Sequence, residues 1–185
     1  MELDDLANYE RAEEITRREV LDYHINDPDG ILMLGDVFLE WGTEKDPSKL
    51  DLAKEQYMLL LQLYKPNDLY NSRLMRYYIR SDNLQQVLSY KNMFEEEKKP
   101  DVSAQDWTEL GGYLLSKLYG EIAPSEEYLR YQIEGLLRLL IKATDMDDTN
   151  PIAWYNLGNY YVYTNDSINN ISYSLKKALE CFNKA

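Results

Sequence analysis

Trp154-Tyr-Asn-Leu-Gly-Asn-Tyr-Tyr161 decides the reading of this chain. Its aromatic, Leu-Gly and second aromatic fall at helical spacing, and Ala178, Phe182 and Ala185 follow at a second helical spacing downstream. The word recurs. Trp107, Leu110 and Gly111 repeat it outright, Ile31, Leu34, Gly35 and Phe38 give it with Ile in place of Trp, and Asn71, Leu74, Met75 and Tyr78 form a degenerate copy. Each copy has its own downstream set: Ala53, Tyr57 and Leu60; then Val87, Lys91 and Phe94; then Leu136, Leu140 and Ala143. Self-similarity at a period of 20–50 residues marks a repeat architecture, whose units cannot bury their apolar faces alone and must stack on neighbours.

These words resemble the tetratricopeptide repeat (TPR). The resemblance implies an all-α fold, a right-handed superhelical solenoid of helix pairs. In each pair a large aromatic and a Leu-Gly on the first helix let the second pack very close. Four repeats are expected over 28–67, 68–101, 104–150 and 151–185, with 1–27 as an N-terminal helix, either part of a preceding repeat or a cap.

The hairpins are irregular. Against a consensus of about 34 residues, Gly35 to Met75 spans 40, Met75 to Gly111 spans 36 and Gly111 to Gly158 spans 47. The extra length lies inside repeats: 18, 12, 25 and 20 residues separate the Gly position from the small residue of the second helix in successive copies. Extended hairpins near 43–49 and 119–128 should therefore project from one edge.

Composition agrees with a helical protein that has a core: 29% of residues are charged, 44% hydrophobic and 12% aromatic, too apolar for a disordered acidic tail. The net charge of -13 repels phosphates and anionic headgroups, which disfavours nucleic acid or membrane-surface binding. One cysteine, Cys181, excludes an internal disulfide and a multi-Cys zinc site. The first residues are acidic where a secretory signal would be basic and apolar. The chain ends at Phe182-Asn-Lys-Ala185 inside an expected helix, so an excised, C-terminally truncated piece of a longer protein is expected, and an anchor or signal would lie outside it.

Breakers place the turns. Residues 7–23 read as a helix through Ile15 and Val20. Asn26-Asp-Pro-Asp-Gly30 reads as a helix start with Pro28 in the first turn. Breaks are expected at 43–48, 65–68, 98–103, 120–125 and 147–151, and every Pro falls in one of them or at a helix start. Alternating apolar strands are absent from the pattern.

Candidates for chemistry are few. His24 is the only histidine, and Asp22 and Asp27 beside it do not make a metal-binding spacing on one helix face. Cys181 precedes the packing residue Phe182 and reads as an inert buried thiol. The acids at 145–148 lack the alternation and Gly of an EF-hand loop. The expectation is no enzyme, no metal and no cofactor.

The resemblance places function on a concave groove lined by the first helices. Helical spacing gives the groove positions as Met33, Asp36 and Glu40, then Arg73, Arg76 and Arg80, then Thr108, Glu109 and Gly112, then Asn156 and Asn159. Arg73, Arg76 and Arg80, three and four apart, form one basic stripe. They either pair internally with Asp36, Glu40 or Asp82, or accept an acidic partner segment as a guanidinium ladder, with Asn156 and Asn159 bonding its backbone. Among the tyrosines, Tyr78 and Tyr161 are assigned to packing, and Tyr155 and Tyr163 to a partner-facing side. The Lys and Asn clamp of TPR adaptors for chaperone tails is poorly matched: Asn159 fits, but no Lys does, and Asp36 and Glu109 have the wrong sign.

A narrower resemblance rests on Leu39-Glu-Trp-Gly42, Tyr77-Tyr-Ile-Arg-Ser-Asp-Asn-Leu84, Leu110-Gly-Gly-Tyr-Leu-Leu115 and Trp154-Tyr-Asn-Leu-Gly-Asn-Tyr-Tyr-Val-Tyr-Thr-Asn165. These segments are similar to the TPR region of spirochaetal periplasmic flagellar collar proteins. That family implies a non-catalytic scaffold in the periplasm that helps to build the collar around the flagellar motor and recruit stator units for motility. The alternative is a cytoplasmic adaptor that binds an acidic peptide in the groove. Either way the expected partners are proteins, with no small-molecule substrate and no membrane insertion by this segment.

Overall fold

The computed structural model describes residues 2–22, 24–96, 101–119, 126–164 and 171–185, without the side chains of 2–7, 126–134 and 171–172. All regular structure among the described residues is helical. Helix α1 (Glu2–Ile15) runs directly into a π-helical turn (Thr16–Leu21), followed by α2 (Pro28–Glu44), α3 (Lys49–Leu63), α4 (Asp68–Arg80), α5 (Leu84–Glu96), α6 (Ala104–Leu118), α7 (Glu126–Met146), α8 (Pro151–Tyr163) and α9 (Ile171–Phe182). Consecutive helices pack in pairs within two units, Met1–Asp101 and Val102–Ala185.

The helix boundaries follow from local chemistry. Asp27 caps α2 by accepting from the Gly30 N–H at 2.7 Å, with Pro28 in the first turn where its missing N–H costs nothing. Asn67 and Asn150 cap α4 and α8 in the same way. Ser103 and Asp106 form a reciprocal capping box at the start of α6. Between α4 and α5 the turn is only three residues, because Asp82 takes a left-handed conformation with φ 55, one that Asp tolerates better than most side chains. That tight turn produces the short spacing of the second copy. The break expected at 120–125 and half of the one at 98–103 lie outside the described residues.

In the first unit, α2 packs on α3, α3 on α4 and α4 on α5, with α1 and the π-helical turn against α2. Phe38, Ala53, Tyr57, Leu60 and Leu74 are fully buried, and each large apolar side chain among them is worth about 1.5–3 kcal/mol by area removed from water. In the second unit, α6 packs on α7, α7 on α8 and α8 on α9, around Trp107, Leu110, Leu139, Leu140 and Ala143.

In three of the four copies the recurring glycine lets the second helix come close. A methyl at Gly35 would stand 2.5 Å from the Tyr57 ring, one at Gly111 2.7 Å from Leu140, and one at Gly158 2.5 Å from the Phe182 ring. The expected downstream residues are buried in α3, α5 and α7. In α9, Ala178 is buried, Phe182 ends the helix half-exposed, and Ala185 lies past it and exposed. In the second unit each tryptophan carries a lysine two residues beyond the gap-filling side chain: Lys142 Nζ lies 3.9 Å from the centre of Trp107 and Lys184 Nζ 3.8 Å from that of Trp154.

The periodicity of 7–23 did not mark the π-helical turn. In it the Asp22 N–H bonds the Arg17 carbonyl at 2.8 Å, and buried Thr16 bonds back to the Ala12 carbonyl. The wide turn sets Val20 and Leu21 against Gly30, where an added methyl would lie 2.7 Å from Val20 Cγ1.

Candidate functional site

Asp36 on α2 is held from two sides. The buried Tyr57 of α3 donates its hydroxyl to Asp36 Oδ1 at 2.7 Å. From α4, Arg73 Nε lies 2.9 Å from Oδ1 and 3.1 Å from Oδ2. Burial first, then the Asp36 charge, raises the Tyr57 phenol well above the usual range, while Arg73 and Arg76 pull the other way. Of the two roles open to Arg73 in the sequence, the structure places it in the internal pair with Asp36. Arg76 and Arg80 are half-buried on α4, and Glu40 is exposed on α2.

The second unit repeats this geometry with different chemistry. Asn156 on α8 donates from Nδ2 to the Thr108 carbonyl of α6 at 3.4 Å, and a methyl at Gly112 would meet that same amide nitrogen at 2.9 Å. Thr108 is buried, its hydroxyl donating to the Ala104 carbonyl and accepting from Asn150. In both units the residue one past the recurring glycine on a first helix, Asp36 or Gly112, faces the residue two before the equivalent position on the next first helix, Arg73 or Asn156. This register ties α2 to α4 and α6 to α8. Asn156 is therefore engaged within the fold, and Asn159 is half-buried.

Tyr155 is 55% exposed and leans on Phe182, with ring centroids 6.0 Å apart. Tyr163 is also exposed, but its ring stacks on Tyr119 at 4.3 Å. Tyr78 packs between Tyr77 and Tyr90, and Tyr161 edges onto Tyr160.

An open groove lies between α1 and α2. It encloses about 560 Å³ and is lined by Asn8, Tyr9 and Ala12 of α1 and by Asp29, Leu32, Met33, Asp36, Val37 and Glu40 of α2. The α2 set follows one helical face over three turns; helical spacing assigns Met33, Asp36 and Glu40 of that face to a groove across successive first helices, whereas here they face α1. Leu32 and Val37 carry a periodic signal beside the core stripe. The α1 side carries none, because a pattern within one helix does not name its neighbour. Tyr9 is fixed there by stacking on Trp41 and donating to Glu44 at 2.6 Å.

The remaining candidates offer no assembled chemistry. His24 is exposed near the end of the π-helical turn. Cys181 is buried, and burial raises its thiol above the ordinary range. Asp147 folds onto the Thr149 N–H and hydroxyl in the turn before α8. Among the described residues no group of three metal-ligating side chains converges, and no helix is long and apolar enough to cross a membrane. No family model matches the chain, and no curated protein matches it.

Proposed function

We propose that this chain is a non-catalytic protein–protein interaction scaffold, a TPR-type solenoid of four helix pairs that belongs to a periplasmic flagellar collar and supports stator recruitment. The scaffold reading is carried by the apolar face left on the α8/α9 pair. Tyr155, Val162 and Phe182 are 55%, 40% and 38% exposed, whereas their register counterparts in the α6/α7 pair, Thr108, Leu115 and Leu140, are 4%, 5% and 0% exposed. The counterparts belong to the pair on which α8 packs; Leu175 and Leu179 extend the exposed set along α9. Contiguous exposed apolar surface is a feature of interaction sites, protein contacts among them. The solenoid is supported by the two features that recur between copies, the close approach at glycine and the tie between first helices. Collar and periplasm rest on the sequence resemblance.

Capture of an acidic peptide on Arg73, Arg76 and Arg80 has less support, because Arg73 is already bound to Asp36. The test is affinity capture from a lysate of the source organism with three baits: the native chain, Tyr155→Ser/Leu179→Ser, and Arg73→Glu/Arg76→Glu/Arg80→Glu. The scaffold reading expects motor or envelope proteins on the native and arginine-reversed baits and their loss from the Tyr155/Leu179 bait. Partners lost only from the arginine-reversed bait would replace it with the adaptor reading.

A further inference from the structure

We propose that the groove between α1 and α2 binds a cationic amphipathic helix of a partner protein, which gives the scaffold reading above a specific docking site. The groove is apolar inside: Tyr9, Ala12, Leu32, Met33 and Val37 line it, with Met33 53% exposed. Its volume lies in the range of ligand-binding clefts. A methionine there adapts its shape to different apolar anchors.

Charge selects the occupant. Among the described residues every charged one lining the groove is acidic: Asp29, Asp36 and Glu40. Asp36 is already neutralised in part by Arg73, which leaves Asp29 and Glu40 to set the sign at the two ends of the α2 face. They are eleven residues apart on one helix, about 16 Å at the α-helical rise. A helix lying along α2 meets both if it carries Lys or Arg about three turns apart, with apolar side chains between them at three- and four-residue spacing. The net charge of -13 favours approach of a cationic segment. A polyanion or an acidic tail meets the wrong sign at both ends.

The probe is a fluorescein-labelled amphipathic helix of Leu and Lys about five turns long, measured by anisotropy. Two controls keep its length: one with Glu in place of Lys, and one with Ser in place of Leu. Two protein variants change the net charge equally, Asp29→Lys/Glu40→Lys at the groove and Asp145→Lys/Asp148→Lys at exposed positions in the other unit, with helicity checked by circular dichroism. The expected result is saturable binding of the Leu/Lys probe alone, weakened about tenfold by the groove reversal and left nearly unchanged by the distant one. Equal weakening by both reversals would show attraction to overall charge and overturn the proposal. So would binding of either control as tight as that of the Leu/Lys probe. If the groove fails while the Tyr155/Leu179 bait still loses its partners, the scaffold reading stands and only this site falls.

Discussion

Gly35→Ala tests whether the recurring glycine is there for close approach. The added methyl would stand 2.5 Å from Tyr57 Cε1 and 3.0 Å from Cδ1, inside any tolerable contact. Tyr57 is 0% exposed and its hydroxyl is fixed on Asp36, so the ring has no empty space to enter. Overpacking of this kind costs about 1–3 kcal/mol, and stretching a hydrogen bond to a charged acceptor adds about 1 kcal/mol. Alanine returns about 1 kcal/mol of helix propensity over glycine. The net expectation is a loss of about 2 kcal/mol.

Gly158→Ala supplies the contrast. Its methyl also meets a ring at 2.5 Å, but Phe182 is the last residue of α9 and 38% exposed. That ring can swing toward solvent, so clash and propensity should cancel to about zero. Urea unfolding followed by circular dichroism measures both, and equal slopes identify a change in stability alone. In a Tyr57→Leu background the Gly35→Ala cost should fall toward zero, a coupling that a double-mutant cycle isolates. Gly35→Ala with native stability, or Gly158→Ala costing as much as Gly35→Ala, would refute the reasoning.

Alkaline pH should unfold the chain through its buried and half-buried phenols. Burial pushes Tyr90 and Tyr119 up to about 12 and raises Tyr57 as well. Folded values above the unfolded value of about 10 mean that their stabilisation is whole below that pH and is lost as pH rises through about 12. Absorbance of ionised tyrosine should then rise together with loss of helicity, and full ionisation near pH 10 with helices intact would contradict it. Lys91→Met should be neutral or stabilise by about 1 kcal/mol, because it removes a lysine whose side chain is 4% exposed and paired with Glu95 at 2.7 Å. Glu95→Ala should cost about 1–2 kcal/mol by leaving that ammonium without its carboxylate, less than for a fully buried pair because Glu95 is 30% exposed. A urea midpoint lower for Lys91→Met than for Glu95→Ala would reverse this account.

The elements were legible because each rests on local chemistry: Pro28 and Pro151 in first turns, breaks at 65–68 and 147–151, and glycine where the second helix closes in on three of the four first helices. The π-helical turn was not legible, since no residue type demands an i to i+5 bond and Thr16 takes its place through the Ala12 carbonyl. Helical spacing put Arg73 and Asp36 on exposed positions of neighbouring first helices, but spacing within a helix does not fix the stagger between two helices. That stagger decided that Arg73 meets Asp36 and Asn156 meets Thr108. Lys91 occupies the position held by Tyr57, Leu140 and Phe182 in the other copies, where Glu95 one turn later, at i+4, pairs with it.

The stagger also bears on where recognition can lie. A position that faces the next first helix is filled by whatever suits that contact: an ion pair with a tyrosine beneath it in the first unit, an amide over a glycine in the second. Chemistry that changes while geometry stays constant is what packing selects, since any pair of matching size and polarity serves. Recognition makes the opposite demand, because a ligand needs particular groups left accessible. Asp29, Met33 and Glu40 meet that demand on α2, all exposed and on one face, as do Tyr155 and Leu179 on the last pair. Arg73, which reads as part of a ligand ladder by spacing, ties α4 to α2, and the accessible face that remains beside it on α2 is acidic and apolar. A partner chosen by that face is cationic and amphipathic.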